Sequence, residues 1–174
     1  LARLGGPAAQ QILRAHLADA GAYERVAALD GLVRTGAVLP WVELAPLLDD
    51  RLARRAALPL FGRSGAPEAI APLAAALERT PHERSLAVAG LAELAAALGP
   101  AALRDPLAGS EAALGEALGE EEGETPRHAA ELLLVLRDTA RLGAAVRTHY
   151  PEQADELATI AAELTTAGLP TTFE

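Results

Sequence analysis

The chain has 174 residues, about half of them apolar but only five aromatic, and a formal net charge of −9. Having no Cys, it has no disulfide framework, thiolate metal site or Cys nucleophile, and its acidic balance argues against nucleic acid and anionic membranes as ligands. The longest notable apolar run, Leu132 to Leu136, falls far short of the ~20 residues that cross a bilayer.

Ala and Leu dominate, and both form helices well, whereas strand-favouring residues are scarce. The expected fold is therefore all-α. Pro and Gly punctuate it. A first helix spans 7–19 from Pro7 and stops before Gly21, and a second spans 22–34 and closes at Gly36. Then come 40–48, opened by Pro40 and carrying Trp41, the sole Trp, and 51–62, closed at Gly65. Helix 67–79 starts at Pro67. In helix 82–98, Thr80 caps and Glu83 reaches back to complete a capping box. The stretch 99–124 is irregular: Pro100 and Pro106 break helix, Gly109 and Gly115 weaken it, and 119–124 is an acidic loop around a helix at 110–118. Helix 125–141 follows Pro126 and is apolar on more than one face near 132–136, which predicts burial on several sides. Helix 152–167, with Glu152, Asp155, Glu156 and Glu163 on its outer face, is expected to cover it as a terminal cap.

A short signature recurs along these helices. Ala-Arg-Leu-Gly stands at 2–5 and again at 140–143, with Val33-Arg34-Thr35-Gly36 and Gly62-Arg63-Ser64-Gly65 between. The first three copies are 31 and 29 residues apart, and the last gap of 78 has room for two longer units. Such a period marks stacked repeats. Aligned on their closing Gly, 22–36 and 51–65 superpose Arg25 on Arg54, Ala27-Ala28 on Ala56-Ala57 and Leu29 on Leu58. Arg84 and Arg127 hold the matching place in 82–98 and 125–143. These segments are the second helices of helix–turn–helix units; 7–19, 40–48, 67–79 and 110–118 are the first.

The run Asp50…Arg54-Arg55-Ala56-Ala57-Leu58…Gly65 resembles bacterial HEAT-like repeats of the phycobilisome-lyase type, and Arg25-Val26-Ala27-Ala28-Leu29…Gly36 is similar. The likeness is strongest over 4–98; the segments at 82–98 and 125–143 are longer than the pattern, and 82–98 lacks its Asp. It implies a right-handed α-solenoid of about five helix pairs, one repeat domain over 1–174 with a longer unit at 99–143. Residues 1–5 read as the tail of a second helix, so the chain is expected to continue a longer array or to meet another chain at that end.

The resemblance also implies that the Arg of each unit bonds an acidic turn of its own or the next unit. The other reading of Arg25, Arg54, Arg84 and Arg127 is a row of guanidinium groups gripping carboxylates or phosphates along a concave groove. Trp41 is either a packing anchor or a contact hot spot, and the loop 119–124 is either a binding element or a solvated turn. With three Ser and four His, and no nucleophile elbow, Walker loop or dinucleotide fingerprint, no catalytic residue, cofactor or metal is expected. His128 and Glu131 have metal-ligand spacing, but a second such pair is missing. The expectation is a cytoplasmic scaffold or regulatory module that uses the concave face of the solenoid, along the ridge from Arg25 to Arg127, to bind another protein or peptide, a basic one given the net charge. Self-association through terminal repeats is a further expectation. The alternative is an accessory or catalytic subunit of lyase type acting on a small molecule or chromophore, which would need a deep apolar pocket.

Overall fold

The computed structural model of the protein describes residues 6–19, 21–120, 123–136, 144, 147–149 and 151–152. All regular structure among the described residues is helical. Helices α1 (Gly6–Asp19) and α2 (Ala22–Arg34) fall where Pro7, Gly21 and Gly36 place them. The third expected helix divides into α3 (Trp41–Leu44) and a 3-10 turn (Ala45–Asp49). Pro46 explains the change. In a continuous α-helix its ring would press on the Val42 carbonyl, and it has no N–H to donate. Helix α4 (Arg51–Arg63) follows. The segment expected as one helix from residue 67 opens as a 3-10 turn (Pro67–Ala69) and becomes α5 (Ile70–Leu77) only afterwards. Pro72 thereby sits in the first turn of α5, where a missing N–H costs nothing.

Helix α6 (Pro81–Leu98) matches its expected span. The irregular stretch holds a short α7 (Ala101–Arg104), entered through Gly99 at φ 87°, and then α8 (Glu111–Ala117). It is firmly packed: Leu103, Leu107 and Leu114 are fully buried. Helix α9 (Thr125–Leu136) buries Leu132 and Leu133 but leaves Leu134 exposed. The signature at 140–143, the expected cap at 152–167 and residues 1–5 lie outside the described residues.

The helices meet in a regular order. Helix α2 packs on α4, α4 on α6 and α6 on α9, while α1, α3, α5 and α8 each pack on the α-helix that follows. Between them lies one core of Leu29, Leu32, Leu44, Leu58, Leu60, Phe61, Leu73, Leu77, Leu91 and Leu94. Small residues set how closely the long helices approach. A Cβ on Gly62 would lie 2.4 Å from the Gly90 Cα, so α4 and α6 cross backbone to backbone.

The caps fix each long helix in register. Asp50 Oδ1 accepts from the Leu52 and Ala53 amides at 2.9 and 3.2 Å, starting α4. The Thr80 hydroxyl accepts from the Glu83 amide at 3.3 Å, the first half of the expected capping box. The Glu83 carboxylate faces Arg79 and Arg55, at 3.8 and 4.0 Å.

Candidate functional site

One face of each long helix is committed to the core, and the opposite face decides what the molecule presents. In α4 the buried stripe includes Ala53, Ala57 and Leu60. The residues just before these, Leu52, Ala56 and Pro59, turn about 100° away from it. They form the floor of an open groove, together with Val26 and Val33 from α2 and Leu86 from α6. Asp30, Arg55 and His82 stand at its polar rim, and its volume is about 420 Å³. A floor this apolar on an outer helix face is unusual, because such a face is normally charged or polar. Pro59 adds a local feature. Lacking an N–H, it cannot donate to the Arg55 carbonyl one turn earlier.

The recurring arginines sit beside this groove without lining it. Arg25, Arg54 and Arg84 are each the fourth residue of their helix, and each amide donates to the carbonyl of its N-cap: Gly21, Asp50 and Thr80. Their side chains turn toward the segment just before their own helix or toward a helix that follows. Arg25 Nη1 donates to Asp50 Oδ2 at 3.0 Å, tying α2 to the cap of α4. Arg54 Nη1 lies 3.5 Å from the Leu48 carbonyl in the turn before its own helix. Arg84 Nε donates to the Leu77 carbonyl at 2.9 Å, and its Nη2 lies 2.7 Å from Glu116 on α8. Arg127 is different. It is the third residue of α9, and His128 occupies the matching fourth place, its amide donating to the Glu124 carbonyl. The Arg127 side chain is exposed and pairs within its own helix turn with Glu124 and Glu131, at 2.6 and 3.3 Å.

Two further links join the layers. Arg63 Nη1 donates to the Val33 carbonyl at 2.8 Å, and its Nε is 3.7 Å from Glu93. Arg14 grips Glu43 with two nitrogens at 2.5 and 3.0 Å, joining α1 to α3, and this bond raises the Arg14 pKa above its ordinary value. The Asp50 carboxyl is held below the usual carboxylate range, first by the Ala53 amide, then by the Leu52 amide and the Arg25 charge.

Trp41 is half-buried. Its ring meets the fully buried ring of Phe61 edge to face, with centroids 5.5 Å apart. At the acidic loop the Ser85 hydroxyl bonds the Glu120 carboxylate, pinning the loop's start to α6. A second hollow of about 510 Å³ lies between α1, α2 and α3, lined by Arg14, Leu17, Arg25, Glu43, Pro46 and Leu47. Among the described residues no three His, Asp or Glu side chains converge as metal ligands, and no helix is long and apolar enough to cross a membrane.

The groove residues Val26, Leu52, Arg55, Pro59 and Leu86 were not singled out by the recurring signature. A signal for them does exist in the sequence: apolar residues at helical spacing on the face opposite the buried stripe. No family model, curated protein or solved structure matches the chain.

Proposed function

We propose that this chain is a protein-recognition module, a right-handed α-solenoid of HEAT-like helix pairs that binds a partner along the outer face of its second helices. The carrying observation is the open apolar groove shared by α2, α4 and α6. The order of packing supports the repeat reading: α1 with α2, α3 with α4, α5 with α6 and α8 with α9, each pair's second helix resting on the next. So does the recurring fourth-residue arginine of α2, α4 and α6, which ties each of these three units to a turn of its own or the next. In this reading Arg25, Arg54 and Arg84 hold the stack together, Trp41 anchors packing, and recognition falls to the residues beside them. An open groove that spans three helices suits a polymer partner better than a small ligand, which is ordinarily enclosed over most of its surface.

Photo-crosslinking tests the assignment. A photoreactive residue replaces Leu52, which is 45% exposed on the groove floor, or Val42, which is 77% exposed on α3. Irradiation in source lysate should give discrete adducts from the first position and not the second. Equal labelling at both, or none at Leu52, rejects the groove as the recognition face.

A further inference from the structure

Resting on that reading of the groove, we propose that its occupant is an acidic amphipathic helix from another protein. Charge is the first argument. Helix α4 carries Arg51, Arg54, Arg55 and Arg63 and no carboxylate, in a chain of net charge −9. Of these, Arg55 lines the groove and Arg51 is exposed beside it, whereas Arg54 and Arg63 reach to the Leu48 and Val33 carbonyls. This exposed flank of α4 is the local exception to an acidic molecule, and it attracts the opposite sign. Arg55 is the group best placed to act. Its side chain is half exposed on the groove rim, and its neighbour Glu83 lies at the 4.0 Å limit of an ion pair. When Arg55 turns to a partner carboxylate, Glu83 keeps Arg79 at 3.8 Å. His82 lines the same rim. Arg51, one turn before Arg55, lies on the neighbouring flank of the helix and is exposed.

The carboxylates nearby are accounted for. Asp50 is occupied by two amides and Arg25, and Glu93 faces Arg63. Asp30 stands alone on the α2 wall, which orients the partner so that its acidic side lies over α4 and α6.

Shape is the second argument. The described residues offer no strand edge, so an extended peptide has no ladder to join. Val26, Val33, Leu52, Ala56, Pro59 and Leu86 instead form a broad apolar floor between ridges, which receives side chains spaced three and four apart on a helix. The floor contains no aromatic ring on which a nucleic-acid base would stack. Net charge alone pointed to a basic partner; the distribution of charge on α4 reverses that expectation.

The test is a random helical-peptide display library panned on the whole chain, with Leu52→Asp as counter-target. Circular dichroism first checks that Leu52→Asp and Arg55→Glu retain wild-type helicity. The expected winners carry Leu, Ile or Val at helical spacing flanked by Asp and Glu. A winning peptide, made synthetically, should lose at least about tenfold in affinity for Leu52→Asp and for Arg55→Glu. Basic winners that fail on Leu52→Asp overturn the acidic assignment and leave the groove reading standing. Winners that bind Leu52→Asp as well as wild type, or a library with no enrichment, overturn both. A short single-stranded oligonucleotide that displaces the peptides and itself depends on Arg55 and Leu52 overturns the peptide assignment in favour of nucleic acid.

Discussion

Replacing Gly62 by Ala tests how closely α4 and α6 approach. The added Cβ would lie 2.4 Å from the Gly90 Cα, 2.7 Å from its carbonyl oxygen and 2.9 Å from its carbonyl carbon. Carbon atoms at rest sit roughly 3.6 Å apart, so the two backbones must part by about 1.2 Å. No flexible side chain is present to absorb the change, which places the overpacking cost near the upper end, about 3 kcal/mol. Ala returns about 1 kcal/mol through its better helix propensity. The net loss is therefore about 2 kcal/mol, or roughly 4–8 °C in melting temperature for a chain of this size. Urea unfolding followed by far-UV circular dichroism measures it as a lower midpoint at unchanged slope. Gly90→Ala is the internal comparison. Its Cβ meets mainly the tip of Leu73, at 3.0 and 3.3 Å, and a side chain can turn aside. That variant should stay within about 1 kcal/mol of wild type. A Gly62→Ala protein as stable as wild type would refute the backbone-to-backbone crossing.

Two other perturbations probe the joints. Asp50 has a lowered carboxyl pKa, so its stabilising effect is complete above its ordinary value of about 4 and is lost as pH falls through the lowered one. Asp50→Asn keeps a capping oxygen but not the charge; the wild-type advantage over it should be constant above about pH 5 and shrink below about pH 4, and an advantage unchanged into strong acid would contradict this. Arg84→Ala removes a largely buried guanidinium bonded to the Leu77 carbonyl and should cost about 1.5 kcal/mol. Arg127→Ala, at an exposed pair within one helix, should cost less than about 0.5 kcal/mol. Equal melting temperatures for these two variants would show that the Arg84 contact is no joint.

The helix borders were legible wherever a local rule decides them. Gly36 and Gly65 adopt φ of 66° and 64°, a region in which Gly alone is at ease, and they end α2 and α4 as the sequence implies. Thr80 and Asp50 cap α6 and α4 through their own side-chain oxygens. The errors came from interior prolines. Pro46 and Pro72 are compatible with helical periodicity, yet Pro46 lies in the 3-10 turn Ala45–Asp49 and Pro72 follows the 3-10 turn Pro67–Ala69. Pro59 shows why no simple rule suffices: α4 runs continuously across it, from Arg51 to Arg63. Its neighbours Leu58, Leu60 and Phe61 are buried, and that packing offsets the loss of one backbone bond. Only tertiary contacts distinguish these cases. The small α7 is obscured for a related reason: its residues Ala101-Ala102-Leu103-Arg104 favour a helix, but Pro100 and Pro106 on either side read as breakers, and the buried Leu103 fixes the short turn between them.

If the chain is the repeat module proposed above, the groove is harder to read than the fold, because recurrence and recognition leave opposite traces in such a chain. A position that does the same structural task at every joint recurs, as the fourth helical residue does in Arg25, Arg54 and Arg84. Its side chains tie down nearby turns, Arg25 through the Asp50 carboxylate and Arg54 and Arg84 through the Leu48 and Leu77 carbonyls. A surface that distinguishes one partner must differ from unit to unit, since a uniform row would bind in any register. The neighbouring positions vary in this way. The fifth residues are Val26, Arg55 and Ser85, and the second residues are Tyr23, Leu52 and His82. A search for repetition finds the arginines and passes over the groove, whereas a search for variation on a shared outward face finds Val26, Leu52, Arg55 and His82 together. The same argument sets the order of mutational effects. Substitutions at the fourth position should appear first in stability. Substitutions at Leu52 and Arg55 should leave the melting temperature nearly unchanged and, in the proposed reading, act on binding alone, because both side chains are already half in solvent.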